Sequence, residues 1–77
     1  MDKYVMAASA ELRAAQARAR LSDLALAELA DIPVTTLRRY LKGSRDTPVS
    51  ALLKIAEALN ITPGRLLDAA AEQIKES

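Results

Sequence analysis

The side chains best equipped for chemistry lie close together: Arg38, Arg39 and Lys42, with Thr35 just before them. At 100° per residue, a helix through them sets Thr35, Arg38, Arg39 and Lys42 at about 40° to 140° from Val34. Thr36, Leu37, Tyr40 and Leu41 fall at about 200° to 340°. One side of this segment is therefore core-like, and the other is polar with three cations. Arginine offers a planar fork of donors that matches guanine O6/N7 or phosphate oxygens, and a threonine can meet a thymine methyl. A helix about 10–12 Å across fits the major groove. A solvated surface helix carries the same residues, so the segment gains meaning only from what surrounds it.

Other chemistries lack their reagents. The 77 residues hold no histidine and no cysteine, which removes imidazole mechanisms, thiol nucleophiles, disulfides and thiolate metal sites. The carboxylates are scattered, and Gly43 and Gly64 are isolated rather than part of a phosphate-cradling loop. The sequence predicts no enzyme, no cofactor and no metal site. Its net charge of +1 conceals an asymmetry: residues 13–45 carry seven cations against three acids, +4, leaving −3 for the two ends combined. Such a window suits a local phosphate-facing surface. Neither a signal peptide nor an apolar run of roughly 18 residues is present, so a soluble cytoplasmic protein is expected.

The elements that must position the basic segment are helical. The hydrophobic share is 51%, supplied by alanine and leucine with only Tyr4 and Tyr40 aromatic, and this composition favours helix over strand. Five helices are expected, over about residues 4–19, 23–30, 34–42, 48–59 and 63–75. In the first, Tyr4, Val5, Ala8, Leu12, Ala15 and Ala19 share one arc; in the fourth, Leu52, Leu53, Ile55, Ala56 and Leu59 do so. Leu66, Leu67, Ala70, Ala71 and Ile74 form the apolar side of the fifth. Ser22 is the expected N-cap of the second helix, and Gly43 suits a left-handed stop after the third. Thr47-Pro48 and Thr62-Pro63 each offer a hydroxyl cap followed by proline at the first helical position.

Residues 22–42 form the most informative stretch: a two-turn helix, a tight turn at Asp31-Ile32-Pro33, and the basic helix. Ala27 is small where the two helices must approach, and Leu26, Ala30, Ile32, Leu37 and Tyr40 can lock the pair together. With the flanking segments ELRAAQARARLSD and SALLKIAEALNITPGRLLDAA, residues 12–70 resemble the Cro and phage-repressor, or XRE, type of helix-turn-helix domain. The resemblance implies an all-α, compact five-helix bundle of the lambda-repressor-like type, whose third helix reads the major groove. It places base contacts on Val34, Thr35, Arg38 and Arg39, with Thr35 and Arg39 the foremost candidates and Arg38 the one that could instead meet a phosphate. Backbone contacts fall on Lys42, Ser44 and Arg45. Arg18 and Arg20, on or just after the first helix, join them unless they are merely solvated.

Three positions depart from the family pattern. Asp23 stands where glutamine often meets the DNA backbone, and its charge repels phosphate. Asp31 replaces the usual turn glycine, which aspartate can do because it tolerates left-handed geometry. Pro33 replaces a capping serine or threonine, leaving the amides of the third helix without a side-chain acceptor. Leu24 and Leu29, where such motifs often expose polar residues, are expected to cover Tyr4 and Val5, the alternative being contact with a partner.

The resemblance implies one DNA-binding domain over residues 1–77, acting on double-stranded DNA as a bacterial or phage-type repressor by operator occupancy. A homodimer on inverted half-sites is the expected arrangement. The alternative is a protein-interaction module, such as an antitoxin or anti-regulator, built on the same fold.

Overall fold

The computed structural model describes residues 2–76. Its order is α1 (Lys3–Ala19), α2 (Asp23–Ala30), α3 (Val34–Lys42), α4 (Val49–Ala58) and α5 (Pro63–Glu76), with no strand among the described residues. The all-α expectation holds, and each boundary falls within about a residue of the sequence signals.

Four helices stop by one device. A left-handed residue follows each: Arg20 (φ 57°), Asp31 (φ 55°), Gly43 (φ 78°) and Asn60 (φ 58°). The amide of the next residue then reaches back to an orphan carbonyl near the helix end. Leu21 N donates to Gln16 O, Ile32 N to Ala27 O, Ser44 N to Arg39 O and Ile61 N to Ala56 O. Leu21, Ile32 and Ile61 then turn inward onto the core, so each of these reversals also anchors the loop that follows it. Glycine was not needed at Asp31, as its residue type suggested.

The starts are less uniform. Asp2 caps α1 by accepting from Tyr4 N at 2.7 Å, and Ser22 caps α2 by accepting from Ala25 N at 3.1 Å, the latter as expected. Thr47 does not cap α4. Pro48 itself occupies the N-cap with ψ 157°, and its carbonyl takes the first helical bond from Leu52 N. With Pro48 extended, Thr47 is pushed one position too far out to reach the first turn. Pro63 does open α5.

Leu12, Leu26, Leu37 and Ile55, all but sealed from solvent, centre a core in which α1 packs on α3 and α5, and α2 packs on α3 and α4. Three apolar stripes shift from their expected faces. In α4 the buried row is Ala51, Ile55, Ala56 and Leu59, and Leu53 is 50% exposed. Leu53 projects roughly 140° from the centre of that row. In α5, Leu66 and Ala70 are buried while Leu67 and Ala71 face out. In α1, Ala7, Ser9, Leu12 and Ala15 are buried, because α3 and α5 grip the helix from two sides. Tyr4 and Ala19 are exposed, and the Lys3 ammonium lies over the Tyr4 ring.

The expected role of Leu24 and Leu29 also fails. Both are exposed (57% and 61%), as is Tyr4, so they cover nothing. They lie on the side of α2 turned away from Leu26, Ala27 and Ala30, which are spent on the core.

Candidate nucleic-acid interface

The basic segment is a nine-residue helix, about 13 Å long at 1.5 Å per residue. Its inner side is Leu37, Tyr40 and Leu41, all 5% exposed or less, with Thr36 half-buried beside them. Thr35, Arg38, Arg39 and Lys42 face solvent. Val34 is half-buried and packs on the core, so of the first two residues Thr35 is the one presented outward. The two sides derived from periodicity are the two sides observed.

Neighbouring side chains hold the far end of α3. The last carbonyls of a helix have no partner within it. Here Ser9 Oγ donates to Tyr40 O at 2.8 Å, the Arg13 guanidinium donates to Leu41 O, and Ser44 Oγ donates to Arg39 O at 3.3 Å. Two of these donors come from α1, which thereby fixes the pitch of α3 against the rest of the fold. Ser9 is buried for this purpose, a serine in the middle of an alanine-rich stripe. At the near end, Pro33 supplies no side-chain acceptor, so the first amides of α3 remain uncapped by any side chain.

The cleft where α1, α2 and α3 meet is lined by Arg13, Gln16, Asp23, Arg38, Leu41 and Lys42. Asp23 is hydrogen-bonded to two of the others. One carboxylate oxygen accepts from Gln16 Nε2 at 2.8 Å and the other from Arg38 Nε at 3.3 Å. The Gln16 hydrogen bond, opposed in part by burial and helped by Arg38 and the Lys42 charge, lowers the Asp23 pKa below the ordinary aspartate value. Asp23 therefore stays ionised at neutral pH. Gln16 and Arg13 carry no signal in the sequence that would assign them to this site, since their partners are set by how the helices cross.

The other sequence candidates divide. Arg39 is exposed, and its guanidinium has no ion-pair partner among the described residues. Lys42, Ser44 and Arg45 are exposed at the end of α3 and in the loop beyond, although the Ser44 hydroxyl is engaged by Arg39 O. Arg20 is exposed at the left-handed stop of α1. Arg18 is exposed too, but it lines a different groove, with Glu11, Ile61, Arg65 and Leu66 between α1 and α5. The structure does not bring Arg18 to the cleft beside α3.

A short helix, a left-handed turn at Asp31 and an outward basic helix braced from behind define a helix-turn-helix DNA-binding unit. The comparisons with known proteins agree. A family model described as Helix-turn-helix matches residues 12–66, and the chain belongs to this family, in its XRE type. The crystal structure of the clp gene regulator ClgR from C. glutamicum is similar in fold, with a TM-score of 0.85 at 23% identity over 91% of each chain. No curated protein matches the sequence. In class, then, the chain is a DNA-binding helix-turn-helix protein. Among the described residues, no helix is long and apolar enough to cross a membrane.

Proposed function

We infer that this protein is a cytoplasmic repressor of bacterial or phage type that acts by occupying operator DNA. The observation that carries the reading is the exposure of Thr35, Arg38, Arg39 and Lys42 on a helix whose other side is locked into the core. Such a ridge enters the major groove as a rigid body, so base contacts are made without ordering a flexible segment first. Thr35, Arg38 and Arg39 face the base edges, with Val34 at the groove entrance. Lys42, Ser44, Arg45 and Arg20 face the phosphates, and Arg18 stays outside the contact. One recognition helix reaches few base pairs, so two copies on inverted half-sites about one helical turn apart supply the rest of the specificity.

Footprinting on the DNA flanking its own gene tests binding, sequence and site symmetry together. The expected result is protection of an inverted repeat, with affinity that falls steeply as salt rises. Absence of any protected sequence, with only weak and sequence-blind binding, would remove the repressor reading. The exposed Leu24 and Leu29 favour one other reading, in which the outer side of α2 docks a protein partner. In that case the same titration gives no operator, and Leu24→Ser with Leu29→Ser abolishes capture of one specific protein.

A further inference from the structure

Asp23 looks like a misplaced charge for a surface that meets phosphate, yet it is the most heavily engaged side chain there. Its two oxygens are divided between Gln16 from α1 and Arg38 from α3, so one carboxylate ties three helices at the cleft. The Arg38 contact is through Nε. A guanidinium held at Nε keeps its two terminal Nη groups, whose parallel N–H donors form a fork. Half of the Arg38 side chain remains exposed (51%), so that fork is open to an approaching duplex.

Charge and direction then decide what the fork suits. Paired with Asp23, Arg38 contributes little net positive charge, and the carboxylate beside it repels phosphate oxygens. Phosphate attraction is the weaker use of this arginine. Guanine O6/N7 asks for an oriented pair of donors, and a guanidinium fixed from behind meets that demand with less rotamer freedom to lose. Arg39, with no ion pair among the described residues, keeps its full charge and its freedom.

We propose that Asp23, itself oriented by Gln16, is a specificity-determining positioning residue that holds Arg38 in the attitude for reading a guanine and turns it away from the phosphates. The acid at the start of α2 thus trades general affinity for selectivity. The inference rests on the DNA-binding reading above.

The test uses the full chain and two duplexes, one selected from a random pool by the wild-type protein and one scrambled version of the same composition. Asp23→Asn should lower the selected-to-scrambled affinity ratio about five- to 150-fold, the range that corresponds to loss of one bidentate base contact. Affinity for the scrambled duplex should hold or rise about threefold, since a repelling charge is gone. Arg38→Lys should lose as much selectivity as Arg38→Ala, because an ammonium keeps the charge without the fork. In the Arg38→Ala background, Asp23→Asn should change the ratio no further.

An unchanged ratio in Asp23→Asn, or an equal second loss in the Arg38→Ala background, overturns the proposal while leaving the DNA-binding reading intact. If the wild-type protein selects no duplex and shows no salt-dependent binding, the DNA-binding reading fails first and takes this inference with it. Thermal melts accompany each variant, and the exposed pair should scarcely affect them. Should Asp23→Asn fail to fold, Gln16→Ala serves instead: it frees one carboxylate oxygen while keeping the charge, and should lower the ratio by a smaller factor. No fall in the Gln16→Ala ratio counts against the proposal.

Discussion

Arg38 and Arg39 are adjacent in sequence, share one helix face and meet different surroundings. Arg38 is tied to Asp23, and Arg39 is not tied to any acid among the described residues. Arg39→Ala is expected to lower operator preference over random DNA by about 1–3 kcal/mol if the side chain pairs with a guanine. Equal losses on the two DNAs, measured by competition titration, would assign it to the backbone. At Asp23 the expectation concerns acid. Its pKa is lowered, first by Gln16 and then by Arg38 and Lys42. The stabilisation this represents is fully present above the unfolded aspartate pKa and disappears as pH falls through the lowered folded value. The Asp23 carboxyl resonance should titrate below the ordinary aspartate range, and Gln16→Ala and Arg38→Ala should each raise it. A titration unmoved by both would mean that neither partner holds the charge.

At the scale of elements, α3 is useful because it is held rigid along its length. Leu37 is fully buried beneath the exposed cations. Leu37→Ala should cost about 2–5 kcal/mol as a buried truncation, and a thermal melt that does not move would contradict this facing of α3. Its far end depends on Gly43 as well. At φ 78° any side chain is strained, and a Cβ there would lie 3.0 Å from Met6 Sδ and 3.2 Å from Ser9 Oγ. Those neighbours include the hydroxyl that donates to Tyr40 O. Gly43→Ala should therefore cost about 1–2 kcal/mol and lower the melting temperature by roughly 5–15 °C in a chain this small. Asp31, also left-handed, shows the other solution: a residue type that tolerates the geometry where nothing crowds a side chain enough to exclude it.

The whole molecule measures 33 × 23 × 21 Å, so its long dimension matches about one turn of B-DNA. The second copy proposed above would sit about that far away, on the neighbouring half-site. Its net charge of +1 leaves little long-range attraction beyond what the basic window supplies. Binding should be sharply salt-dependent, with a log–log slope of about −0.9 per phosphate neutralised. Lys42→Ala should weaken binding to all sequences alike and flatten that slope by about one. An unchanged slope would exclude Lys42 from the phosphate surface.

The helices, their order and the two sides of α3 could be read from residue types alone, because periodicity, capping and left-handed tolerance are local properties of the chain. The same locality explains the errors. Leu53, Leu67 and Tyr4 satisfied a stripe on their own helices, but which part of a stripe is covered depends on the neighbouring helix and its crossing angle. Leu24 and Leu29 were expected to cover Tyr4 and Val5, but packing leaves both leucines exposed. Nothing in the order of residues joins Gln16, Asp23 and Arg38, or sends Ser9 and Arg13 to the carbonyls of α3. Those contacts exist because three helices converge, and burial and hydrogen-bond geometry between distant segments are settled only when the chain packs.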